Sequence, residues 1–114
     1  MFWRQIVWLV LIFLGPATAQ ADPVRIVALG DSLTAGFGLP ESAAFPSVLQ
    51  RRLKEKGFDV EVSNAGVSGD TATGGLARLD WSTPAGTDLV IVELGANDML
   101  RNAPPATPRA ALES

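Results

Sequence analysis

Three short apolar runs, each followed by a polar loop that carries a glycine, limit what this chain can fold into. They are Val24–Leu29 (VRIVAL), Phe58–Ser63 (FDVEVS) and Leu89–Leu94 (LVIVEL). Their length and β-branched content predict strands. From about Ala44 to Lys56, Phe45, Val48, Leu49 and Leu53 recur on one helical face. Pro46 suits the first turn of that helix, and Gly57 its stop. A second, shorter helix is predicted from Thr71 to about Leu79, capped by Asp70 or Thr71. Residues 30–41, 64–70 and 82–87 read as loops and a turn, and a last helix begins near Thr107-Pro108. Strands alternating with helices predict βαβ units with right-handed crossovers. The expected fold class is therefore α/β, a flavodoxin-like three-layer sandwich around a parallel sheet of order 2-1-3. Leu89–Leu94 is nearly all apolar, so it expects cover on both faces and a strand on either side. Three strands cannot supply this, and the expected fold is incomplete on its C-terminal side.

The N-terminus has a different character. Arg4 precedes an unbroken apolar run, Ile6–Leu14, which is shorter than the roughly 20 residues that span a bilayer. Gly15-Pro16 and the small-residue site Ala19-Gln20-Ala21 follow. This is the layout of a secretory signal peptide. Residues 1–21 are expected to be removed on export to the periplasm, leaving 22–114 as part of one domain with no stable membrane span.

Composition excludes several function classes. The chain has neither Cys nor His, which rules out a disulfide scaffold, a Cys/His zinc site and a haem histidine. The formal net charge is −3, and the longest basic cluster is Arg51, Arg52, Lys54 and Lys56. That cluster reads as a solvated helix face, so no nucleic-acid partner is expected. Neither G-x-G-x-x-G nor G-x-x-x-x-G-K-[ST] occurs; Gly75 stands where the second motif needs Lys. Thr34 stands where a G-x-S-x-G elbow needs its last glycine.

The three loops carry Gly30-Asp31-Ser32-Leu33, Asn64-Ala65-Gly66 and Gly95-Ala96-Asn97-Asp98. In open α/β sheets, ligands bind beyond the carboxyl ends of the strands, where strand order reverses. With order 2-1-3, Ser32 and Asn97 face each other across that crevice, with Gly66 beside them. A hydroxyl, a side-chain amide and a loop N–H in one place are the parts of an acyl-transfer site. Taken singly, each has a plain structural reading. Gly-Asp-Ser is a common turn. Asn97-Asp98 can be a helix cap, Asp70 is a cap rather than an acid, and Gly66 marks a tight backbone. Glu93 is a charge paired within the structure, and Trp81, Phe37 and Phe45 are packing residues.

Together the motifs are more specific. Leu29–Gly36 (LGDSLTAG) resembles the first block of the GDSL, or SGNH, hydrolases. Asn64–Thr71 (NAGVSGDT) resembles the second block, and Val92–Asp98 (VELGAND) the third. With Gly75-Leu76-Ala77-Arg78-Leu79, these matches are similar to the bacterial acyl-CoA thioesterase I, arylesterase and lysophospholipase subgroup. The resemblance implies an SGNH hydrolase fold of which 22–114 is the N-terminal part. It implies Ser32 as nucleophile and an oxyanion hole formed by the Ser32 and Gly66 N–H groups and the Asn97 side chain. It implies a small acyl ester or thioester substrate, with no metal and no organic cofactor. The family's His, with an Asp three residues before it, has no counterpart in these 114 residues. A serine hydroxyl without an adjacent base is a poor nucleophile, so the chain by itself is expected to be inactive. A noncatalytic ligand-binding relic of such an enzyme is the alternative.

Overall fold

A computed structural model describes residues 15, 16 and 20–114. The expected signal peptide lies almost wholly outside these residues. Three strands form one parallel sheet: β1 (Val24–Gly30), β2 (Val60–Gly66) and β3 (Leu89–Glu93), in the order β2-β1-β3. β1 is central, as the sequence predicts. Its register aligns Gly30 with Gly66 on one side and with Glu93 on the other, so all three following loops leave from the same end. The core is built on β1, where Ile26, Val27, Ala28 and Leu29 are buried.

The second strand starts two residues later than predicted and runs three residues further. The helix before it, α2 (Phe45–Glu55), explains the late start. Gly57 takes φ +89°, its N–H donates to Lys54 O, and the Phe58 N–H donates to Leu53 O. This paired closure of a helix C-terminus uses Gly57 and Phe58 before the strand can begin. Along the sheet border, the Gln50 side chain of α2 accepts the Val62 N–H at 2.7 Å.

The predicted loop 30–41 contains a helical turn, α1 (Ser32–Ala35). The Asp31 carboxylate caps it by accepting the Leu33 N–H at 2.9 Å, and Gly36 ends it in the left-handed region at φ 79°. The predicted helix over 71–79 is two pieces, α3 (Ala72–Ala77) and α4 (Leu79–Ser82), broken at Arg78. Thr71 is the cap of α3, its side chain accepting from Gly74 N. Two short helices follow β3, namely α5 (Ala96–Leu100) and α6 (Ala106–Leu112).

Helices lie on both faces. α1 packs against the face carrying Gly30 and Gly66, where close approach requires glycine. A Cβ on Gly66 would stand 2.2 Å from Ala35 N and 2.7 Å from Ala35 Cα. Backbone cannot yield as a flexible side chain does, so Gly66→Ala is expected to cost about 3 kcal/mol. An unchanged urea midpoint in that variant would show that α1 shifts freely. On the opposite face, α3, α4 and α6 surround an apolar cavity of about 130 Å³ lined by Leu29, Gly75, Leu76, Val92, Leu94 and Leu112. The cover expected for β3 is only partial among the described residues: Leu89 is 50% and Val92 49% exposed. Phe37 and Trp81, read from the sequence as packing residues, are 80% and 73% exposed. No described helix is long and apolar enough to cross a membrane.

Candidate active site

The site is built where the three strands end. Ser32 is the first residue of α1, so its N–H has no acceptor within the helix. It follows Asp31, which is buried and held from three sides. Asp31 N donates to Glu93 Oε1 at 3.4 Å, its Oδ1 accepts from Leu33 N, and its Oδ2 accepts from Asn97 Nδ2 at 3.3 Å. That last contact joins the first loop to the third. It places the Asn97 amide beside the residue that carries Ser32, as the 2-1-3 order requires. Asn97 Nδ2 also donates to Asp70 O at 2.8 Å, joining the third loop to the second. Both amide hydrogens of Asn97 are therefore engaged, the one on Asp31 at the longer distance. Asn97 is not a cap: Gly95 holds that position in α5, and the Asn97 side chain crosses to the other two loops. The capping role belongs to its neighbour. Asp98 is buried and accepts the Ala72 N–H at 2.9 Å, so it caps α3 from a different helix.

The Gly66 N–H has a partner within its own loop. Gly66 is the last residue of β2, and its N–H donates to Asn64 Oδ1 at 2.9 Å. Asn64 is itself anchored, with Nδ2 donating to Thr34 O at 3.0 Å. Gly66 thus seats β2 against α1, and its N–H is already used. The Ser68 and Gly69 N–H groups of this loop have no acceptor among the described residues, and Gly69 is the one held at φ +84°.

Two charged groups were misjudged from the sequence or missed. Asp70 is an ion-pair partner, its Oδ2 lying 2.6 Å from Arg78 Nε while its Oδ1 accepts the Thr71 N–H at 3.1 Å. Arg78 is only 8% exposed. It donates to Ala65 O at 2.9 Å, Gly30 O at 2.9 Å and Ser82 Oγ at 3.2 Å. A single guanidinium thus binds the carboxyl ends of β1 and β2 and the loop between β2 and α3. The planar fork of donors suits that task, and an ammonium could not reproduce it. The sequence signal was a lone cation between Ala77 and Leu79, flanked on both sides by small or apolar residues. Glu93 is satisfied within the structure as expected, though by hydrogen bonds rather than a cation. Its Oε1 accepts from the Thr34 hydroxyl at 2.8 Å as well as from Asp31 N.

Ser32 is half-buried, and its hydroxyl has no side-chain partner among the described residues. Clefts of about 530 and 450 Å³ lie along α2 and between α5 and α6, and neither is lined by Ser32 or Asn97. Among the described residues no three acidic side chains converge as a metal site would need. The arrangement is a serine hydroxyl at a helix start, with the Asn97 amide bonded to the residue that precedes it.

Known proteins resemble this chain in sequence and in fold. The model of the GDSL-like lipase/acylhydrolase family matches residues 28–114, and the chain belongs to that family. It is 50% identical over 101 residues to an arylesterase of Vibrio mimicus, covering 85% of this chain and 48% of that protein. It is 45% identical over 93 residues to the esterase TesA of Pseudomonas aeruginosa, covering 78% of this chain and 45% of that protein. The crystal structure of AlinE4, an SGNH-hydrolase family esterase, superposes with a TM-score of 0.76 at 41% identity. That match covers 82% of this chain and 51% of AlinE4. The fold is that of the SGNH hydrolases, and the chain spans about half the length of the relatives it matches.

Proposed function

We propose that this chain is the nucleophile-bearing half of a serine hydrolase acting on carboxylic ester or thioester bonds of small acyl substrates. The observation that carries the reading is the contact of Asn97 Nδ2 with Asp31 Oδ2, which joins residues 66 positions apart and brings an amide to the residue before Ser32. In this reading Ser32 Oγ attacks the acyl carbonyl. The developing oxyanion is met by the Ser32 N–H, by Asn97 Nδ2 in exchange for its longer bond to Asp31, and by the Gly69 N–H in place of that of Gly66. The buried Asp31 carboxylate holds the Asn97 amide in orientation before substrate arrives. An arylesterase, thioesterase or lysophospholipase specificity fits the names of the relatives.

The 114 residues hold no His, so nothing among them is set to take the proton from Ser32. The chain alone is therefore inactive in this reading. Continued by the second half of one of its relatives, it hydrolyses an aryl ester and takes up a fluorophosphonate label at Ser32. The relic reading draws its support from the same missing His. A coding sequence that continues past Ser114 into an Asp-x-x-His block decides for the enzyme.

The same proposal includes export. Arg4, the apolar run and Ala19-Gln20-Ala21 direct the chain across the inner membrane, with cleavage after Ala21. N-terminal sequencing of the periplasmic product should begin at Asp22. A membrane-retained product that begins at Met1 contradicts it.

A further inference from the structure

We propose that Arg101 is a positioning residue that clamps the Gly69–Asp70 turn beside the Asn97 amide, an inference that rests on the hydrolase reading above. Arg101 follows the last residue of α5, and its Nη2 donates to Gly69 O at 2.7 Å, across 32 positions of sequence. The next carbonyl of the same turn, Asp70 O, accepts from Asn97 Nδ2. Asn97 and Arg101 are four residues apart, so they share one face of the helix and grip two consecutive carbonyls from it. The guanidinium also lies over the open side of the glycine, with Nη2 3.6 Å from where a Cβ on Gly69 would stand.

The turn needs such a clamp because it does not enforce its own shape. Gly69 sits at φ +84° with no side chain to restrict it, and glycine populates both signs of φ almost equally. The Asp70 N–H donates to Val67 O at 3.1 Å and the Asp70 side chain is anchored by Arg78, so the turn is fixed on its Asp70 side while the Gly69 carbonyl is left to be held. Arg101 supplies the other side. Its acceptor is a neutral carbonyl, and no carboxylate pairs with it among the described residues. The contact therefore leaves a full positive charge on the turn that carries the Gly69 N–H, next to where the oxyanion forms. Arg101 itself is exposed, so removing its head leaves the core intact.

Arg101→Met and Arg101→Lys test the clamp in two ways. In the 114-residue chain, amide exchange at Ser68–Thr71 should quicken about 10-fold in the Met variant. Melting should stay within about 4 °C of the wild type, as for other exposed substitutions. In the chain continued by a relative's second half, Arg101→Met should lower kcat about 10-fold with KM within about two-fold, because a displaced turn mispositions a donor without removing a binding contact. Arg101→Lys should regain most of both losses. Wild-type exchange or wild-type kcat in Arg101→Met overturns the clamp. So does a loss that Lys shares equally and that falls together with the melting temperature, since that marks packing alone. A continued wild type without Ser32-dependent turnover fails the hydrolase reading instead, and the exchange measurement tells the two failures apart.

Discussion

Ser32→Ala, in the chain continued by a relative's second half, should abolish acyl-enzyme formation and lower kcat on the order of 10⁶-fold, the scale of losing a hydrolase nucleophile. The geometry allows no replacement. The neighbouring hydroxyl, Thr34, is fully buried and donates to Glu93, so it cannot take over the attack. The Ser32 N–H survives the substitution, as do Asn97 and the second loop. Substrate binding should therefore change little, and some rate above water should remain from the donors alone. Fluorophosphonate labelling and aryl ester kinetics read the two effects separately. Label retained in Ser32→Ala at the wild-type rate would show that another residue is the nucleophile.

Asn97→Ala should leave the nucleophile and lower kcat about 10²–10³-fold, the usual effect of losing one oxyanion donor. KM should move much less, because the donor acts on charge that develops only during attack. The structure adds a second expectation. Asn97 also holds Asp70 O and Asp31 Oδ2, so its removal loosens the second loop from the third, leaving Arg101 on Gly69 O and Asp98 on Ala72 N. The fold should survive, since Arg78 still ties Asp70, Ala65 and Gly30 together. A raised KM with unchanged kcat would make Asn97 a loop tie and substrate contact, and would remove it from the oxyanion hole.

The fold was legible where periodicity was strong. The apolar runs of β1 and β3 and the amphipathic spacing of α2 carried the sheet order and the meeting of the first and third loops. The misses are local and share a cause. α1 is four residues long, too short to show a period, and its signal was the Asp31 cap within a stretch that reads equally well as a turn. β2 was displaced because Gly57 and Phe58 serve the helix before it. Gly66 and Gly69 both read as loop glycines in the sequence, and only the fold shows that one N–H has an acceptor and the other none among the described residues. Arg78 was hidden for the opposite reason: its importance comes from three carbonyl and hydroxyl acceptors brought together by the fold, and no spacing rule encodes those.

The two borders of the sheet differ, and the difference governs where another strand can add. On the β2 side, the Gln50 side chain occupies the Val62 N–H, and α2 packs against that strand. On the β3 side, no strand among the described residues pairs with the outer edge. An unpaired strand border offers its backbone N–H and C=O groups to any strand that reaches it, so β3 is the border at which a further strand can join the sheet.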